Sequence, residues 1–325
     1  MGTILISWYV LRETLRATVL LAVLALAAPA SCGSESRTTP LSSTPAGGPL
    51  VVATTSIWGD VASNVVGDDG HVTVLIPIGT DAHEYQPSPR DAALLLDADL
   101  VVANGLLLEE GLSDVIAAAG ADRADVIELA PLLDPIPLGD DHAVDAEDGL
   151  GGEDPHVWLD PLRVADGARV IAEELMGRDD RVDWSARAAT YAAQLEEADT
   201  QIESLLADIP PDRRKLVTNH EALGYFASRY DFEIVGVVIP GGSTLAEPSS
   251  AELSALVELI ERERVAAVFA ETSSPSALAE AVAAEIDGVD IVELYTESIG
   301  EPGSGADSVI GMLLTNAQRI AGALS

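Results

Sequence analysis

Three histidines stand in polar punctuation rather than in apolar stripes: His83 in GTDAHEYQPSP, His156 in EDPHVWLDP and His220 at the end of KLVTNH. Glu297, in ELYTESIG, lies where another apolar strand runs out. Three imidazoles and one carboxylate form a tetrahedral donor set suited to Zn²⁺. Glu271 also follows a strand and Glu84 adjoins His83, so either is a candidate to bind in place of Glu297 or to hold an imidazole in its tautomer. His71 opens a strand at the wrong end for such a site and reads as structural. His142, among the carboxylates of LGDDHAVDAEDGLGGED, belongs to a solvated loop and is at most an auxiliary point of metal capture.

These residues are far apart in sequence, so the elements between them must bring them together. Strand patterns occur at 51–56, 72–77, 100–103 and 126–129, with helix patterns near 57–66, 90–97 and 109–119. The plan then repeats, with strands at 215–218, 234–239, 266–270 and 291–294 and helices near 221–230, 249–262, 276–285 and 307–323. Such alternation predicts an α/β fold of two lobes, each with a mostly parallel sheet flanked by helices, and favours two separate cores. Trp184, Ala188, Tyr191, Leu195, Ala198, Ile202, Leu205 and Ile209 recur at spacings of four and three, predicting one long rigid helix that joins the lobes. The expected organisation is a first lobe over 50–183, a linking helix over 184–209 and a second lobe over 210–325. In open parallel sheets ligands gather beyond the carboxyl ends of the strands, where His83, His220, Glu271 and Glu297 all fall.

The N-terminus carries an address. Arg12 and Arg16 precede the apolar run Ala17 to Ala28, which is too short for a comfortable membrane crossing and reads as an export signal over residues 1–31. Cys32, the single cysteine, follows Ala30 and Ser31 at the place where a bacterial lipoprotein is cleaved and lipidated, although Pro29 stands where an aliphatic residue is usual. A secreted protein with an idle thiol is the alternative. Residues 32–49 then form a flexible tether. Loss of residues 1–31 removes two of 17 basic and one of 54 acidic side chains, taking the net charge from −37 to −38. That charge makes nucleic acid an unsuitable partner.

With these blocks in place the chain resembles the solute-binding proteins of zinc and manganese ABC importers. GTDAHEYQPSPRD, ADLVVANGLLLE, DPHVWLDP, TNHEALGYFASRY and LYTESIG stand in that family's order and at about its spacing. The resemblance implies His83 and His156 as ligands from the first lobe, and His220 and Glu297 from the second. It also implies a monomer, anchored on the extracytoplasmic face of the membrane or periplasmic, that delivers metal to the transmembrane subunit of an ABC permease. Glu297 departs from the aspartate usual in the family, and the long histidine-rich loop of many zinc-specific members is missing before DPHVW. Histidine rather than glutamate at position 220 points to Zn²⁺ as the bound ion, with Mn²⁺ or Fe²⁺ as alternatives. Because neutral imidazoles are required, stabilisation by metal is expected to fade below about pH 6.

Two rival classes are a zinc hydrolase and a surface adhesin. A hydrolase needs an open metal position for water, whereas a glutamate in the fourth position closes it, and no HExxH or GxSxG occurs. Nothing local encodes adhesion, since repeats, an aromatic stripe and a long polar stalk are all missing from the sequence.

Overall fold

The continuous apolar runs LVVA, LVVA, KLVT and AVFAE become the inner strands of two four-stranded parallel sheets. The computed structural model describes residues 48–122, 124–138 and 152–325. The first sheet has the order β2-β1-β3-β4, from β1 (Leu50–Ala53), β2 (His71–Val74), β3 (Leu100–Ala103) and β4 (Asp125–Glu128). The second repeats it as β6-β5-β7-β8, from β5 (Lys215–Thr218), β6 (Glu233–Val237), β7 (Ala267–Glu271) and β8 (Asp290–Leu294). Inner strands β1, β3, β5 and β7 are almost wholly buried, whereas β2 and β8 at the edges are partly exposed. That contrast is why the inner strands read as unbroken apolar runs.

Helices cover both sheets: α1 (Ser56–Val66), α2 (Pro89–Asp97), α3 (Ser113–Asp122), α4 (Pro161–Met176), α5 (Trp184–Leu206), α6 (Gly224–Tyr230), α7 (Ser250–Glu263), α8 (Ala277–Ala284) and α9 (Val309–Leu324). Local chemistry fixes several starts. Ser88 and Asp91 close a capping box around Pro89, Ser249 and Glu252 form another, and Asp160 accepts from the Leu162 N–H ahead of α4.

Among the boundaries that differ from the sequence reading, three have a visible reason. The long helix stops at Leu206 rather than Ile209, because Ile209 precedes Pro210 and a residue before proline is driven out of the helical region. Arg214 then donates to the carbonyls of Leu206, Ile209 and Tyr230, satisfying groups that the helix end leaves open. A single helix from Glu109 is replaced by a short 3₁₀ turn and α3, because the buried Glu109 carboxylate accepts from Thr54 Oγ1 and from the N–H groups of Asn104 and Gly105. The helix expected from Glu221 begins at Gly224, since Thr218 Oγ1 donates to the His220 carbonyl and holds the intervening residues in a turn.

The two cores expected from the sequence are unequal. One apolar cluster runs from the first sheet through Trp58, Trp158 and Trp184 to Tyr225, Phe269 and α9, while a smaller one lies between β5, β7, α7 and α8. Helix α5, about 34 Å long at 1.5 Å per residue, packs on α1, α4 and α9 rather than standing free. The C-terminal helix α9 also lies against β8. Both sheets are therefore tied into a common helical layer, and their carboxyl ends deliver the loops described next.

Candidate metal centre

His83, His156, His220 and Glu297 meet at one point, each offering one ligand atom within 4.8 Å of all the others. All four are buried, and none is more than 3% exposed. His83 follows the loop after β2, His156 precedes a 3₁₀ turn and α4, His220 lies two residues past β5 and Glu297 three past β8. The sequence separation is thus cancelled by topology: loops from both sheets converge where strand ends leave polar backbone.

Two of the imidazoles are held by carboxylates from behind. His156 Nδ1 lies 2.7 Å from Asp154 Oδ1, which also accepts the His156 backbone N–H at 2.9 Å. His220 Nδ1 lies 2.5 Å from Glu271 Oε1, and Asn219 and Ser274 donate to the other oxygen of Glu271. Each carboxylate keeps a proton on Nδ1 and leaves Nε2 facing the cluster. Asp81 performs the backbone part of this task for His83, accepting its N–H at 2.9 Å.

The facing atoms have the spacing of a coordination shell. His156 Nε2 and His220 Nε2 are 3.1 Å apart, and Glu297 Oε1 lies 3.3 Å from the first and 3.6 Å from the second. Glu297 Oε2 is 4.0 Å from His83 Nε2. A tetrahedron with metal–ligand bonds of roughly 2.0–2.1 Å has edges of about 3.3 Å, so small movements of His83 would complete one. Meanwhile His83 Nε2 and both Glu297 oxygens are buried without a hydrogen-bond partner, an arrangement that costs free energy unless a cation satisfies them. The donor set fits Zn²⁺.

Electrostatics point the same way. Burial opposes a charge on His156, but Glu297 and Asp154 outweigh it and raise its pKa to about 10. His220 is similarly raised, with Glu271 as the main force against burial. His83, which has no carboxylate bonded to its ring, is pushed down to about 3 by burial and by the neighbouring imidazoles. For Glu297 burial acts upward, yet the three histidines prevail and hold it at about 2. In the metal-free protein, then, a proton on His156 offsets the charge of Glu297.

Residues 51–323 match the family described as zinc-uptake complex component A, periplasmic. The chain belongs to this family. Its members are extracytoplasmic substrate-binding proteins of metal ABC transporters, which accounts for a buried donor set at the meeting of two sheets. Among similar proteins, the manganese-binding lipoprotein MntA of Halalkalibacterium halodurans is 34% identical over 306 residues, spanning 93% of this chain and 96% of its own. The zinc-binding protein TroA of Treponema pallidum is 30% identical over 288 residues, spanning 86% and 90%. The solved TroA structure aligns with a TM-score of 0.75 over 86% of this chain and all of that one.

Of the supporting carboxylates considered from sequence, Glu271 lies behind His220, but Glu84 does not support an imidazole. It is exposed, beside a surface depression lined by His83, Gln86, Glu110, Gly111 and Leu245. Asp154 has the role instead, and the signal for it was the repeated Asp-x-His of Asp81–His83 and Asp154–His156. His142 and Cys32 lie outside the described residues. Replacing Asp154 by asparagine or Glu271 by glutamine removes the charge but keeps the shape, and is expected to weaken metal binding by roughly 10–100-fold. Competition with a chromophoric chelator measures this; unchanged affinity would show that these carboxylates do not tune the imidazoles.

Proposed function

We propose that the protein captures Zn²⁺ outside the membrane, with His83, His156, His220 and Glu297 as its ligands, and delivers it to the transmembrane subunit of an ABC importer. The observation that carries this reading is the convergence of three imidazole nitrogens on a buried carboxylate whose two oxygens have no hydrogen-bond partner. Zinc tolerates such a nitrogen-rich set of four, whereas manganese prefers more oxygen donors and a higher coordination number. Four protein ligands also leave no position for a nucleophilic water, which supports a carrier rather than a hydrolase.

Manganese is the second reading, because the similar MntA protein is named for that metal. The lobes in this scheme are residues 50–183 and 210–325, with α5 between them. Export by residues 1–31 and lipidation at Cys32 would keep the carrier beside its permease, as a monomer on a short tether.

Thermal melting tests the scheme. A ligand that binds only the folded state stabilises it by about 2.7 kcal/mol at one hundred times its Kd. Zn²⁺ is expected to raise the melting temperature more than equimolar Mn²⁺, and a chelator to reverse the shift. A larger shift with Mn²⁺ would transfer the assignment to manganese.

A further inference from the structure

Glu297 comes from the second half of the chain, but the residues on either side of it are bonded to the first half. Tyr295 is still fixed by the second half, since its N–H donates to Asn316 Oδ1 at 2.9 Å and Asn316 Nδ2 donates to its carbonyl at 2.7 Å. From Thr296 onward the partners change. Trp158 Nε1, two residues beyond His156, donates to the Thr296 carbonyl at 2.7 Å. Gly79 N–H, in the loop leading to His83, donates to Ser298 Oγ at 2.9 Å. Ser56, the first residue of α1, accepts from the Ile299 N–H at 3.3 Å and lies 3.1 Å from Ser298 Oγ.

The hydrogen directions are decided by what remains. Ser298 Oγ has its own hydrogen committed to the Ile299 carbonyl at 2.8 Å, so the Ser56 hydroxyl must donate to Ser298. Both serine hydroxyls then have partners, and both serines are buried. Buried, fully satisfied hydrogen bonds of this kind fix geometry tightly, because breaking one leaves a group unsolvated.

We infer that Trp158 and Ser298 are positioning residues, which clamp the Glu297 loop to the segments carrying His156 and His83 and so set the carboxylate at bonding distance from the imidazoles. The inference rests on Glu297 acting as a ligand. Its physical content is preorganisation: a glutamate has one more rotatable bond than an aspartate, and a backbone fixed on both sides limits what that freedom costs when metal binds.

The test uses Ser298→Ala, Trp158→Phe, Ser56→Ala and the double variant Ser56→Ala/Ser298→Ala, in the full mature chain. Zinc dissociation is followed by capture with excess chelator, and hydrogen exchange of residues 295–299 is followed in the metal-free protein. Ser298→Ala and Trp158→Phe should each speed dissociation by about tenfold and raise exchange across 295–299. The double variant should be no faster than Ser298→Ala alone, because both changes open one junction. Ser298→Thr, which keeps the hydroxyl, should restore slow release. Ser63→Ala, which removes another α1 hydroxyl bonded only within its helix, should leave it unchanged. Dissociation within twofold of the unaltered protein in both Ser298→Ala and Trp158→Phe would overturn the inference. So would unchanged exchange at 295–299. If the unaltered protein takes up no zinc, the proposed function fails, while the exchange data on the metal-free form still decide whether these residues hold the loop.

Discussion

His220→Ala is expected to lose roughly a thousandfold or more in zinc affinity, about 4 kcal/mol at 1.4 kcal/mol per factor of ten. The imidazole is fully buried, its Nε2 faces the other candidate ligands, and Glu271 Oε1 loses its partner once it is gone, although Asn219 and Ser274 still hold Oε2. The variant therefore loses a metal bond and leaves one oxygen of a buried carboxylate unpaired. Isothermal titration with a competing chelator measures the loss, and circular dichroism checks that the fold survives. A loss below about tenfold would mean that the remaining three groups bind metal without His220.

The second large effect is on protons. His156 titrates near 10, so at neutral pH it carries a proton that metal must displace, while His220 is shifted in the same direction. Binding is expected to release about one proton, from His156, and affinity to fall by roughly tenfold for each unit of pH below 7. Unperturbed imidazoles would release almost none at pH 7.5, and their competition would begin only near pH 6.5. The decline in metal binding thus starts higher than the pH 6 expected from free histidine. Titrations in buffers of different ionisation enthalpy count the protons directly; release of none would show that the carboxylates do not keep His156 charged.

The same groups act on the metal-free fold with opposite signs. His156, raised in the folded state, stabilises it fully below the unfolded value near 6.5, a contribution lost as pH rises through about 10. His83, depressed to about 3, works the other way: its buried neutral form is favourable above 6.5 and becomes a cost as pH falls toward 3. Acid therefore attacks the metal-free site first at His83, the one imidazole without a carboxylate on its ring.

Much of this was legible in the chain. The two runs of alternating strand and helix gave the sheets because buried parallel strands must be apolar on both faces. The positions of His83, His220 and Glu297 as candidate ligands were visible because each lies where an apolar run gives way to polar residues. Ends of helices were less legible where long-range bonds decided them, as the hold of Thr54 on the Glu109 carboxylate does ahead of α3. Asp154 stood in an acidic stretch, and its one distinguishing mark was the Asp-x-His spacing it shares with Asp81 and His83. Glu84 misled for the converse reason, since adjacency to His83 in sequence does not turn its side chain inward. The hold of Trp158 and Ser298 on the Glu297 loop joins residues more than a hundred positions apart and leaves no local pattern at all.

The most direct test is equilibrium competition on the soluble form, residues 33–325, stripped of metal and then dialysed against equal free Zn²⁺ and Mn²⁺ at pH 7.5. One zinc per chain, with little manganese and no zinc retained by His220→Ala, is the predicted result. Manganese in preference to zinc, or no bound metal in the unaltered protein, would contradict the assignment of His83, His156, His220 and Glu297 as a zinc site.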